Sequence, residues 1–158
     1  MHPANEKLEI SNFGLLLIKS FEGLKLSAYQ DAAGFMTIGY GHKIKPDDDI
    51  PIHISEDQAN AILAHDASIA CHAVKKLVMF PLTQGEIDAL TSFTFNLGAG
   101  ALKKSTLLKL VNEGKMSLAS IEFGKWINAG GKPLEGLRRR REAERKLFMG
   151  GLFMGGAH

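Results

Sequence analysis

Glu22, Asp31 and Thr37 are the residues best placed by type and spacing to do chemistry, in the stretch FEGLKLSAYQDAAGFMTIGYGH. Two carboxyls brought to one cleft from different elements are what breaking a glycosidic bond requires. The glycosidic oxygen is a poor leaving group, so one carboxyl must hold a proton to give it. The oxocarbenium-like transition state needs the other carboxyl ionised. Glu22 follows Phe21 and the apolar run Leu15 to Ile18, an apolar surround that favours the protonated form, whereas Asp31 sits in a polar turn beside Gln30. Glu22 is therefore assigned as general acid and Asp31 as its ionised partner. Thr37 is a candidate to hold an attacking water, because a hydroxyl both donates and accepts. Each residue alone also has a plain structural reading: an acid ending a helix before Gly23, an Asp bonding its own turn, a Thr in a strand.

The elements that must position them follow from periodicity. An N-terminal helix over about 11–22 stops at Gly23, which lacks the Cβ that disfavours a left-handed terminus. Leu24 to Ile38 alternates and turns like a small hairpin sheet, with Asp31 to Gly34 as the turn. KPDDDIP (45–51) is a polar loop, and beyond it the pattern is helical. Ser55 with Gln58 and Thr83 with Glu86 are capping-box signatures, opening a long helix to about Val78 and a central buried helix. Hydroxyl caps at Ser105 and Ser117 open shorter helices, and Pro133 in a first turn opens a last one to about Met149. Strands confined to one end and helices elsewhere make the fold α+β.

The run Glu22-Gly23, then Tyr29-x-Asp31-x-x-Gly34-x-x-Thr37-Ile38-Gly39-Tyr40-Gly41-His42, resembles the catalytic stretch of phage lysozymes in family 24 of the glycoside hydrolases, the T-even phage lysozyme type. The resemblance extends from about residue 11 to 148. It implies a lysozyme-like fold over 1–158. A hairpin lobe of about 24–54 would face a helical lobe of about 55–149 plus the first helix, with a cleft between them. It implies Glu22 as acid with Asp31 and Thr37 across the cleft, and an endolysin or muramidase. Such an enzyme hydrolyses the β-1,4 bond between N-acetylmuramic acid and N-acetylglucosamine in peptidoglycan, with inversion, and lyses the cell.

The same resemblance pairs His42 with Asp66 on the long helix, as a stabilising tie rather than a metal site. It places Asn96 on the cleft, where an amide would bond sugar; Asn96 supporting the helix end before Gly98 is the alternative. In GLRRRREAER, either Arg138 or Arg141 is expected to hold Glu22 in position. Glu135, Glu142 and Glu144 interrupt that basic run and the chain carries only +2 net charge, which argues against a nucleic-acid partner. Trp126 is read as core rather than as a sugar platform, given Ile121, Phe123 and Ile127 around it.

A chain of 158 residues that is 45% hydrophobic can bury a core as one unit, expected to be a monomer. Its one cysteine, Cys71, excludes an intrachain disulfide, and no cofactor is called for. The charged start MHPANEKLEISNFG does not look like a signal peptide, and Phe13 to Ile18 is too short to span a membrane. Synthesis in a host bacterial cytoplasm is expected, with a holin-type pore giving access to the wall. LFMGG occurs twice, at 147–151 and 152–156, and 150–158 is expected to be a flexible tail without stable membrane insertion. Two rival readings leave marks in sequence: a lytic transglycosylase can dispense with the second carboxylate, and a silent wall-binding module would have lost Glu22 or Asp31. The chain keeps both.

Overall fold

A computed structural model describes residues 1–152 of the chain; the second LFMGG copy falls, apart from Leu152, outside the described residues. Helix α1 (Asn12–Glu22) starts at Ser11, whose side chain accepts from the Gly14 amide. Ser11 also reaches across to Asp88, its amide donating to Oδ1 at 2.8 Å and its hydroxyl to Oδ2. The helix ends at Gly23, with φ +73°, and the Gly23 amide closes the last turn on the Lys19 carbonyl.

Strands β1 (Lys25–Gln30), β2 (Met36–Gly39) and β3 (His42–Lys43) then form an antiparallel sheet in that order. Tyr29 pairs with Thr37, Gln30 with Met36 and Ile38 with His42, with an irregularity in β1 between Lys25 and Tyr29. The chain at 52–54 runs back along the far side of β1, with Ala28 and Ile54 amides bonded to the Ile52 and Leu26 carbonyls.

The helices α2 (Glu56–Leu77) and α3 (Gln84–Leu97) both carry the expected reciprocal capping boxes, Ser55 with Gln58 and Thr83 with Glu86. Every residue from Glu86 to Thr94 is buried, so α3 is the central helix. Helices α4 (Ala99–Lys104), α5 (Thr106–Asn112), α6 (Met116–Glu122) and α7 (Glu135–Phe148) pack around it. Ser105 caps α5 by accepting from the Leu108 amide at 3.0 Å.

Two expectations need correction. Ser117 is not a cap: α6 begins one residue earlier, Lys115 stands at its N-cap without a side-chain bond, and Ser117 lies in the first turn. Pro133 does not open α7; it ends a second hairpin, β4 (Asn128–Ala129) with β5 (Lys132–Pro133), and α7 starts at Glu135. Gly130 and Gly131 turn that hairpin with φ of +59° and +79°, the two positive values a tight hairpin turn demands. Helix α4 is an element that the pattern did not announce.

The buried residues form two apolar clusters. One gathers Leu17, Val74, Ile87, Leu90, Phe93, Leu107, Phe123 and Phe148 among the helices. The other joins Ile18, Ile38, Tyr40, Ile54, Leu63 and Ala67 under the sheet. Trp126 is partly buried and meets Phe93 edge to face at 5.4 Å.

The sheet is tied to α2 through His42. Its Nδ1 lies 2.6 Å from Asp66 Oδ2, and its Nε2 lies 2.9 Å from Asp48 Oδ2 in the polar loop. Carboxylates only accept, so both ring nitrogens must carry hydrogen and the ring is an imidazolium. Burial pushes the His42 pKa down, but the hydrogen bonds and charges of Asp48 and Asp66 outweigh it, and the net shift is upward from 6.5. The Asp48 carboxyl is held below its usual range by the Lys45 amide and then by His42.

A raised imidazole pKa stabilises the fold fully below the unfolded value of about 6.5 and loses that effect as pH rises through the folded value. A lowered carboxyl pKa contributes above about 4 and loses its effect as pH falls. The melting-temperature gap between wild type and His42→Gln is therefore expected to be widest between pH ~4 and ~6.5, and to shrink on the alkaline side. Thermal melts across pH 4–9 read this directly; a constant gap would show that His42 is not charged in the fold.

Candidate active site

The last residue of α1, the turn after β1 and the start of β2 converge on a cleft of about 700 Å3. Glu22, Asp31 and Thr37 line its sheet side, Asp66 and Ala70 come from α2, and Thr94 and Asn96 come from the end of α3. The sequence-derived trio thus meets in one concavity, and Asn96 faces it from the other wall.

Local structure fixes each member. Asp31 opens its turn by accepting from the Ala33 and Phe35 amides at 3.0 and 2.8 Å, both on Oδ1, so Oδ2 takes no part in those bonds. Thr37 is buried and its hydroxyl donates to the Phe35 carbonyl at 3.0 Å, which leaves the oxygen's lone pairs as acceptors. Glu22 is half-buried, with its carboxylate held against the Gly41 backbone. A Cβ at Gly41 would overlap Glu22 Oε1, and Gly41 has φ +76°, so both space and backbone call for glycine there.

An arginine does reach Glu22 across the cleft, as expected, so its surround is not only the apolar one of its own helix. Arg140 Nη1 donates to Glu22 Oε2 at 2.6 Å, across 118 residues of sequence. The expectation that Arg138 or Arg141 does this is corrected: Arg138 is exposed and bonds Glu135 one turn earlier, at 2.8 and 3.0 Å from Nε, while Arg141 points to Asn96. The reason is the rotation of α7. Its buried stripe is Arg140, Arg141, Glu144, Leu147 and Phe148, the spacing of one helix face. Stepping back seven residues from Leu147 and Phe148 lands on Arg140 and Arg141, a signal present in the sequence but hidden by the unbroken arginine run.

Beneath the cleft lies a charge network that the sequence reading missed. Glu144 has no exposed surface, and its Oε2 accepts from the Ser92 hydroxyl at 2.6 Å. Arg140 Nε lies 3.4 Å from the same oxygen, and its Nη2 bonds the Ser92 carbonyl at 3.3 Å. Arg141 Nε is 3.0 Å from Glu144 Oε1, close enough to pair by charge though misaligned for a hydrogen bond. The Arg141 guanidinium also stacks over Phe93, 5.3 Å from the ring centre. Burial pushes the Glu144 carboxyl upward, while Arg141, Arg140 and Ser92 pull against that. Burial likewise pushes Arg141 down against the attraction of Glu144.

Among the described residues no helix is long and apolar enough to cross a membrane. The phage lysozyme family model matches residues 19–144, a span that holds every member of the site from Glu22 to Glu144. The endolysin of Bacillus phage B103 is 44% identical over 146 residues, which are 91% of this chain and 55% of that protein. The chain therefore spans about half the length of that relative. The endolysin of Acyrthosiphon pisum secondary endosymbiont phage 1 is also 44% identical, over 89% of this chain and 98% of its own. Among solved structures, the muramidase domain of SpmX from Asticaccaulis excentricus superposes with a TM-score of 0.82 at 39% identity, over 90% of this chain and 99% of that one.

The network makes the arginines unequal. Arg140→Met would leave the buried Glu144 with Arg141 as its one flanking guanidinium and Glu22 without the donor on Oε2, and breaking a buried pair from one side costs about 3–5 kcal/mol. Arg138→Met removes an exposed pair and is expected to leave stability nearly unchanged. Urea unfolding of the two variants checks this; equal losses would mean that Arg140 does not hold the network.

Proposed function

Because the chain belongs to the phage lysozyme family, we propose that it is a muramidase of the endolysin kind, hydrolysing the β-1,4 bond between N-acetylmuramic acid and N-acetylglucosamine in peptidoglycan. The observation that carries this reading is Glu22 and Asp31 on one cleft with Thr37 of β2, in the spacing that resembles glycoside hydrolase family 24. We place the chain in that family, with lysis of a bacterial cell as the outcome. The cytoplasmic origin, the wall as site of action, the holin-type pore and the monomeric state remain part of the same proposal.

In this mechanism Arg140 occupies Oε2 of Glu22, so the proton is delivered from Oε1, the oxygen packed on Gly41. Asp31, steadied by two backbone amides, supplies the negative charge opposite and draws a proton from the attacking water. The Thr37 hydroxyl spends its own hydrogen on the Phe35 carbonyl, so it accepts a hydrogen from that water and orients it. The Arg140–Glu144 network sets the acid's position before substrate arrives, the kind of preorganisation on which active sites depend.

Glu22→Gln is nearly isosteric but cannot deliver a proton, so turbidity clearing of purified cell walls is expected to slow by ~10²-fold or more with the thermal melt retained. Mass spectrometry of wild-type digests is expected to show reducing ends; 1,6-anhydromuramyl ends would assign a lytic transglycosylase instead. Near-normal clearing by folded Glu22→Gln would remove Glu22 from the acid role.

Water held by Thr37 has a role only if it attacks first, which is the inverting course, with carboxyls about 6.5–9.5 Å apart rather than the ~5–5.5 Å of retaining enzymes. Proton NMR of fresh product from a muropeptide oligomer is expected to show the α-anomer first. A β-anomer appearing first, or a trapped glycosyl-Asp31 adduct, would make the enzyme retaining.

A further inference from the structure

The sheet sets one row of side chains across its width. Tyr29 of β1 pairs with Thr37 of β2, and Thr37 pairs in turn with Lys43 of β3. Directly opposed residues share a face, with Cβ atoms about 4.5–5.5 Å apart, and all three line the cleft. Lys43 is therefore the cross-strand neighbour of the hydroxyl assigned to the attacking water. Ile44 packs on the cluster under the sheet, and Lys45 lines the cleft again, so a buried anchor separates two cationic side chains on one bank. Among the described residues no carboxylate lies within ion-pairing distance of Lys43, whose Nζ stands 4.6 Å from the centre of the Phe35 ring. A ring face attracts a cation without neutralising it, which holds the charge at the rim and leaves it to be matched. Two of the acids on the cleft are engaged elsewhere, Glu22 with Arg140 and Asp66 with His42.

We propose that Lys43, with Lys45 beside it, is a specificity-determining residue that binds a carboxylate on the peptide branch of the substrate, and so prefers glycan whose stems carry free carboxylates over glycan whose stems are carboxamides. This rests on the muramidase reading above. N-acetylmuramic acid carries its peptide on the lactyl group, so the anions nearest the cut bond belong to that branch. A carboxylate accepts charge-assisted hydrogen bonds from an ammonium, roughly twice as strong as neutral ones. A carboxamide of the same shape brings no charge, and its NH2 meets the ammonium donor to donor. Because Lys43 and Thr37 are opposed in the sheet, engaging the branch also sets the register of the sugar chain against the hydroxyl that orients the water.

The test uses the full chain and two sets of soluble peptidoglycan fragments, both freed of wall phosphate polymers. One set has free stem carboxylates; in the other, carbodiimide and ammonia have converted them to carboxamides. The readout is the ratio of kcat/KM between the sets. Wild type is expected to favour the carboxylate set, and by less as salt is raised. Lys43→Met is expected to cut that ratio by ~5-fold or more, through a higher KM on the carboxylate set rather than a lower kcat. Lys43→Arg keeps the charge and is expected to keep most of the ratio. Phe35→Leu leaves the backbone bonds to Asp31 and Thr37 in place and is expected to lower the ratio in the same direction. Lys109→Met removes an exposed charge outside the cleft lining and is expected not to move the ratio. A wild type active on both sets without preference for the carboxylate, a ratio untouched by Lys43→Met, or an equal fall in Lys109→Met overturns this inference and leaves the muramidase reading standing. A wild type that cleaves neither set overturns both.

Discussion

The structure turns on a carboxylate that has no water. Glu144 is fully enclosed, and an ionised group there is tolerable only because Arg140 and Arg141 flank it and Ser92 donates to it. The two arginines also carry donors outward from Glu144, to Glu22 from one and to Asn96 from the other. A single buried charge on α7 thereby sets the orientation of a side chain at the end of α1 and one at the end of α3. Replacing such a network by apolar residues of similar volume is often neutral for stability, so its retention at this place is best explained by what it positions.

Against this stiff helical floor, the opposite wall of the cleft is built from short-range bonds. Asp31 is set by amides two and four residues on, and Thr37 by a carbonyl two residues back. Local hydrogen bonds of this kind form with the turn itself and need no distant partner. The two sides of the cleft therefore rest on different physics, enclosed charge pairing on one and backbone turn geometry on the other. The sheet side is in turn fastened to α2 by the imidazolium of His42 between two carboxylates.

That difference also explains what the amino-acid sequence made legible. Glu22, Asp31 and Thr37 could be picked out because local rules place them: a glycine stop, a turn, an alternating strand. The capping boxes at Ser55 and Thr83 were readable for the same reason, and they mark the starts of the longest helix, α2, and of the central helix, α3. What was lost depended on rotation or on pairing over a distance. The phase of α7 decides which of four adjacent arginines turn inward, and it is set by Leu147 and Phe148 meeting the core, not by the arginines. The second carboxylate on His42, Asp48, hid in a run of three aspartates whose loop conformation no periodicity describes. Gly130-Gly131 was a turn signal in plain view, overlooked because the strands on either side have two residues each and carry no alternation.

Neighbouring residues of α1 serve different interiors. Leu17 belongs to the cluster among the helices and Ile18 to the cluster under the sheet. Helix α2 does the same along its length, with Leu63 and Ala67 in one cluster and Cys71 and Val74 in the other. If the sheet-side cluster came apart, α1 and the first half of α2 would lose one face while still bonded into helices whose other ends remain packed. Losing either interior thus costs each shared helix packing that the other interior does not replace. Among the described residues, two apolar interiors joined by continuous helices are expected to melt together rather than one after the other.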